Sequence, residues 1–246
     1  MPRYFLEVSY KGANYSGFQV QENANSVQEE IEKAFQIYFR RPVGMTGSSR
    51  TDTGVNALQN FFHFDFEGNI PPGFLYNINA ILPPDIVTVR LYPVHSQAHC
   101  RFDALSREYS YYIYRYKNPF LQDRAYYFPY ALDLEKLSSA AALMFNHTDF
   151  SSFSKRNTQV KNFNCQILSS RWESEGDCFV YRVQANRFLR GMVRGLVGTM
   201  LQVGRGKMEL SALEEVILSL DCSRADFSVP GHGLFLVRVN YPPGLL

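Results

Sequence analysis

A chain of 246 residues, 46% hydrophobic and 20% charged, has the composition of a soluble globular protein, long enough for one large domain or two fused halves. Its formal net charge of +2 excludes nucleic-acid binding through an overall field, so any RNA site has to be a local patch. No run of about 18 apolar residues predicts a membrane span, and Met1-Pro2-Arg3-Tyr4-Phe5-Leu6-Glu7 lacks the apolar core of a signal peptide.

The cysteines (Cys100, Cys165, Cys178, Cys222) are scattered without C-x-x-C spacing and read as free buried thiols in a reducing, cytoplasmic compartment. Aromatics reach 15%, with 16 Tyr and 20 Phe against one Trp, and such faces suit cores or stacking on bases.

Alternation over 4–10 predicts a strand. A glycine-containing loop, 11–21, follows and carries Tyr15-Ser16-Gly17-Phe18-Gln19. Ser26-Val27-Gln28-Glu29 is a capping-box signature. The helix it opens has Val27, Ile31, Ala34, Phe35 and Tyr38 at helical spacing and ends at Pro42 at the latest. Next, Gly47-Ser48-Ser49-Arg50-Thr51-Asp52-Thr53-Gly54-Val55-Asn56 sets one carboxylate between an arginine and small residues, bounded by glycines. An apolar strand over 57–66 comes after it. Taken alone, the loop fits an Asx-turn, with Asp52 bonding its own backbone; a reactive group presented from a rigid strand is the competing reading. Pro71-Pro72 opens a short helix over 74–82, closed by Pro83-Pro84, and a strand over 86–92 leads to His95-Ser96-Gln97-Ala98-His99. This order of strand, helix, strand, helix, strand is an α+β pattern.

The second half opens on a strand over 107–116, with Tyr109, Tyr111 and Ile113 on one face. Asp133 caps a helix predicted over 134–145. Strands over 164–172 and 179–185 flank the turn Ser174-Glu175-Gly176-Asp177. A long helix is predicted over 187–202 with a stop at Gly204, then a shorter one over 212–220 and a last strand over 234–241. The halves 1–104 and 105–246 share an order of elements, which hints at duplication without a residue-level repeat.

Arg187, Arg190 and Arg194 fall at i, i+3 and i+7 of the long predicted helix, in one arc beside an apolar face of Leu189, Met192, Val193 and Leu196. Such spacing usually makes a solvated cationic face. An arginine in mid-helix among bulky apolar residues, however, calls for a carboxylate or phosphate, and Asp52 is a candidate partner for Arg194. Tyr109 reads first as core; the functional alternative turns its hydroxyl to a cleft and stacks its ring on a base. Among His63, His95, His99, His147 and His232 only His95 and His99 have a metal spacing, and with no third ligand no metal is expected. Gly204-Arg205-Gly206-Lys207 lacks P-loop spacing and reads as a helix stop. Lys155-Arg156 with Lys161 forms a candidate phosphate patch or an ordinary exposed loop. There is no dinucleotide fingerprint and no G-x-S-x-G elbow.

Arg50-Thr51-Asp52-Thr53-Gly54-Val55, Arg107-Glu108-Tyr109-Ser110-Tyr111 and Phe188-Leu189-Arg190-Gly191-Met192-Val193-Arg194 together resemble the three active-site motifs of the tRNA pseudouridine synthase A family. Tyr15-Ser16-Gly17-Phe18-Gln19, Asp149-Phe150-Ser151-Ser152-Phe153 and His232-Gly233-Leu234-Phe235-Leu236 extend the resemblance over almost the whole chain, in the family's order. It implies that Asp52 is the catalytic aspartate, Tyr109 the tyrosine that packs on the target base, Arg194 the arginine paired with the aspartate, and Arg50 the arginine that helps take the nucleotide out of the stack. Arg187, Arg190, Lys155 and Arg156 are further candidate RNA contacts. The family usually has His where this chain has Asn56, and often Ala or Lys at Thr53, departures expected to bear on RNA contacts or specificity rather than on the reaction.

The resemblance implies an α+β fold, with a mixed, mostly antiparallel central sheet, helices on one side and two ferredoxin-like halves. It implies isomerisation of uridine to pseudouridine at positions 38, 39 and 40 of the tRNA anticodon stem-loop, by a homodimer and without a cofactor. Attack of Asp52 at C1′, its addition at C6 and its removal of the C2′ proton all fit. Two rivals stand beside this reading: a non-catalytic RNA-binding protein or RNA chaperone on the same fold, and a glycoside-bond hydrolase with Asp65 as a second acid.

Overall fold

The computed structural model describes residues 1–156 and 160–246. Its strands are β1 (Arg3–Tyr10), β2 (Thr46–Gly47), β3 (Asn56–Asp65), β4 (Ile86–Val94), β5 (Ser106–Tyr114), β6 (Tyr126–Tyr127), β7 (Ile167–Glu175), β8 (Cys178–Ala185) and β9 (Leu234–Asn240). Its α-helices are α1 (Val27–Phe39), α2 (Phe74–Ile81), α3 (Leu134–Leu143), α4 (Met192–Gly204) and α5 (Leu210–Leu218). The chain divides into two compact units, Met1–Leu105 with Phe235–Leu246, and Ser106–Leu234. Both are α+β with mostly antiparallel strands, the fold class that the order of elements predicts.

In the first unit the strands run β4-β1-β3-β9, with β2 added to β3. All pairs are antiparallel except β3 with β9. Phe5, Leu6 and Val8 are each fully buried, so β1 is covered on both faces at its centre. Ser26 caps α1 as its sequence predicts, its hydroxyl accepting from the Glu29 N–H at 3.2 Å. The helix stops at Arg40, in the left-handed region with φ 54°. Phe35 on its buried side meets Phe64 of β3 and Phe74 of α2 edge to face, at 5.2 and 5.3 Å between ring centres, which locks both helices to the sheet.

The last strand does not stay with the second half. β9 pairs with β3 through Asn56 opposite Phe235 and Ala57 opposite Leu236, and the Val239 N–H donates to Gln59 Oε1 at 3.1 Å. The Leu105 N–H donates to the Asn240 carbonyl at 2.8 Å, which ties the end of the first stretch of this unit to the far end of β9.

The second unit is built on β5-β8-β7, antiparallel throughout, with β6 added in parallel to β5. Its strands and helices lie close to expectation, except that β7 starts at Ile167 rather than 164 and α4 starts at Met192 rather than 187. Gly191 explains the second difference. It caps α4 with φ 74°, a conformation that turns the chain and leaves 186–190 outside the helix. Arg187, Arg190 and Arg194 therefore do not share a helical arc, and Arg194 lies in the first turn rather than mid-helix. The two-residue strands β2 and β6 are too short to show any periodicity in the sequence.

The side of α4 that carries Gly195 and Gly198 is covered by the 226–229 segment. A Cβ on Gly195 would come within 2.7 Å of the Phe227 ring, and one on Gly198 within 2.1 Å of the Asp226 carbonyl oxygen. All four cysteines are free; three are buried and Cys222 is half-buried. Among the described residues no helix is long and apolar enough to cross a membrane.

The contact at Gly198 is with backbone, which has little room to give way. Gly198→Ala is expected to cost about 1–3 kcal/mol, read as a lowered midpoint of urea denaturation with an unchanged slope.

Candidate active site

In the first unit, the loop that carries Asp52 is fastened on both sides of that residue. At its root the Ser48 N–H donates to the Phe61 carbonyl at 2.7 Å. Asn60, fully buried in the middle of β3, holds Ser49 from both sides. Its Oδ1 accepts from the Ser49 N–H at 3.2 Å and its Nδ2 donates to the Ser49 carbonyl at 2.8 Å. Tyr10, at the end of β1, pairs its hydroxyl with Thr51 Oγ1 at 2.8 Å and accepts from Asn60 Nδ2 at 3.3 Å. Buried polar groups of this kind are costly unless satisfied, so the network admits one arrangement of the loop root.

The 11–21 loop closes on the other side. The Phe18 N–H donates to the Thr51 carbonyl at 3.1 Å, and Thr53 Oγ1 donates to the Ser16 carbonyl at 3.0 Å. Asn56 is 2% exposed and accepts from the Gly12 N–H at 2.9 Å. Gly12 has to be glycine, because a Cβ there would lie 2.1 Å from the Val55 carbonyl oxygen. Tyr15 and Asn14 donate to the Asp85 carboxylate at 2.5 and 2.8 Å and fix the far end of the same loop. Asn56 therefore joins the two loops. Thr53 likewise adds a bond that alanine lacks. Between these anchors Asp52 is half-buried, with a turn from the Val55 N–H to its carbonyl at 3.2 Å, while Arg50 is exposed.

In the second unit Tyr109 lies on β5 opposite Val183 and is 9% exposed, its ring meeting Phe188 edge to face at 5.0 Å. Two residues on, the Tyr111 hydroxyl donates to the Pro230 carbonyl at 2.8 Å. Burial pushes this phenol well above its ordinary pKa, and the charge of Arg194 pulls it the other way. Arg194 is half-buried in the first turn of α4. Its Nε donates to the Val229 carbonyl at 2.7 Å and its Nη2 to the Phe227 carbonyl at 3.4 Å. Two carbonyls from one segment thus orient the guanidinium plane.

The other basic candidates separate. The Lys155 N–H donates to the Arg190 carbonyl at 3.0 Å, and the Lys155 side chain crosses Gly191, which brings Lys155 and the exposed Arg190 to one patch. Arg156 is exposed and paired with Asp221 at 3.7 Å. Arg187 is half-buried and lies close enough to Cys165 to affect its thiol. Asp65, the acid that a hydrolase would require, is gripped by Arg3 at 2.8 and 2.7 Å and serves the fold. A groove of about 500 Å³ in the first unit, lined by Tyr4, Pro71, Phe74, Tyr76 and Leu91 among others, is apolar and lies at the opposite end of β1 from Tyr10, away from the Asp52 loop.

Asn60, Tyr10 and Asn56 carry the loop and do not stand out in the sequence by any motif. The one signal is Asn60 itself, a poor strand former inside an apolar strand. The histidines also group differently from their spacing, since His99 lies beside His63 and Cys100.

Residues 140–242 match the family model described as tRNA pseudouridine synthase. A protein of Parabacteroides distasonis named tRNA pseudouridine synthase A is 45% identical over all of this chain and 98% of its own length. Proteins of the same name from Porphyromonas gingivalis and Staphylococcus aureus are 43% and 35% identical, over 100% and 96% of this chain and 99% and 90% of their own lengths.

Removing the Asn60 amide strands the Ser49 N–H and carbonyl in a dry interior. Asn60→Ala is expected to lower the unfolding free energy by about 2–4 kcal/mol, measured by urea denaturation of the purified chain.

Proposed function

The chain belongs to the tRNA pseudouridine synthase A family and is a tRNA pseudouridine synthase, an isomerase; we propose that it acts on uridines 38, 39 and 40 of the anticodon stem-loop. The observation that carries the site assignment is Asp52, half-buried at the crest of a loop whose neighbours are all tied down. In the reaction the N1–C1′ bond of the uridine breaks, the base turns, and a C5–C1′ bond forms. C5 gives up its proton and N1 gains one, so atoms balance without redox or ATP. A carboxylate held in a fixed, sheltered position supplies the nucleophile or base for this exchange.

In this reading Arg194 favours the ionised form of Asp52 by Coulomb attraction, against the cost of burial. Tyr109 packs on the extruded base, which leaves its stack at a cost of a few kcal/mol. Arg50, exposed on the loop before Asp52, assists extrusion, and Lys155 with Arg190 contacts phosphate. The working form is a homodimer with the tRNA across its interface. A cytoplasmic location accords with the tRNA substrate and with four free thiols.

Asp52→Asn is expected to leave folding and tRNA binding intact and to lower turnover by roughly 10²–10⁴-fold or more. Tritium release from [5-³H]uridine tRNA measures this, and substantial turnover by the variant ends the assignment. Arg194→Leu is expected to reduce turnover at saturating tRNA more than it reduces affinity; unchanged turnover there makes Arg194 a scaffold residue. Mapping pseudouridine in cellular tRNA with and without the protein tests the positions.

A further inference from the structure

In the first unit, His63, His99 and Cys100 each place a ligand atom within 4.8 Å of the others. His63 stands on β3, while His99 and Cys100 lie in the segment that follows β4. Cys100 is fully buried, His63 nearly so, and His99 forms the half-buried rim. Cys100 Sγ is 3.2 Å from His63 Nδ1 and 3.1 Å from the Thr46 carbonyl oxygen. None of these groups takes part in the uridine chemistry.

One sulfur and two imidazole nitrogens form a donor set for a borderline-soft divalent ion, zinc above all; magnesium and calcium require oxygen. Zinc bonds of about 2.3 Å to sulfur and about 2.0–2.1 Å to nitrogen, in a tetrahedron, place ligand atoms roughly 3.3–3.6 Å apart. The Cys100–His63 pair already has this separation to within a few tenths of an ångström. His99 has to move inward by roughly 1 Å on the same geometry. Its Nδ1 accepts from the Arg101 and Phe102 N–H groups at 3.2 and 3.4 Å, long bonds at an exposed edge that water can replace. Both imidazoles present a ring nitrogen to the cluster. Arg3 is anchored on the Ala98 carbonyl at 2.9 Å and lies close to Cys100.

We propose that His63, His99 and Cys100 form a zinc site, with water as the fourth ligand, that ties the segment after β4 to β3. On binding, Zn²⁺ takes the place of the Cys100 thiol proton, which leaves to solvent, and no electron is transferred. The Cys100 carbonyl accepts from Ser48 Oγ at 2.7 Å and from the Tyr241 hydroxyl at 2.5 Å. The metal therefore braces the strand from which the Asp52 loop departs, although the site stands without any assumption about that loop's chemistry.

The test uses the full chain, stripped with a chelator and loaded with Zn²⁺ or Co²⁺. One equivalent of Zn²⁺ is expected to survive gel filtration and to raise the melting temperature, and Co²⁺ is expected to give a thiolate charge-transfer band. Cys100→Ala abolishes the band, and His99→Gln, at the half-buried rim where folding is least affected, weakens Zn²⁺ binding by more than about tenfold. Cys222→Ala retains full binding. Failure of the wild-type chain to hold Zn²⁺, a charge-transfer band that survives Cys100→Ala, or unchanged affinity in folded His99→Gln overturns the site.

Discussion

Asn60 uses both ends of its amide on one residue, Ser49, and donates to the Tyr10 hydroxyl, all inside a region closed to water. A loop root held this way cannot drift by small steps. Any other path of the chain strands an amide or a carbonyl at about 1–3 kcal/mol each. The neighbouring bonds, from Tyr10 to Thr51, from Asn56 to Gly12 and from Thr53 to Ser16, pass the constraint outward to the residues on either side of Asp52. Rigid placement of this kind is what makes a short-lived charge distribution cheap to stabilise, because the polar groups need not reorganise when it forms.

Arg194 obeys a different logic. Near the start of α4 it sits at the positive end of the helix dipole, which disfavours a cation by about 0.3–1 kcal/mol. Two carbonyls from 227 and 229 offset that cost, and they reach the guanidinium because Gly195 and Gly198 let their segment lie flat on the helix. A helix selected for stability alone would carry an acidic residue at this place. The arginine is there at the expense of the helix.

Most elements were legible in the sequence because their signals are local. Ser26 with Glu29, the paired prolines around α2 and the alternation at Tyr109, Tyr111 and Ile113 each report on a few neighbouring residues. The start of α4 was misread because Leu189 continues the apolar spacing past the point where Gly191 turns the backbone, and spacing does not record φ. The Asp52 motif was legible as a motif. Its supports were not, since Asn60, Tyr10 and Gly12 act across 11, 41 and 44 positions of chain, respectively, and nothing in their own surroundings marks them. His63 and Cys100 are separated by 37 positions, so the histidine spacing pointed to His95 instead.

The return of Phe235–Leu246 to β3 makes the second unit, in covalent terms, an insertion within the first. β9 takes its place beside Asn56 and Ala57, and Tyr241 reaches Ser48 and Cys100, only after Ser106–Leu234 has been translated. Until then the nascent chain holds β3 with an unpaired edge. The second unit is therefore translated between the two stretches of the first, and the root of the Asp52 loop gains its Tyr241 contact after that unit has been made.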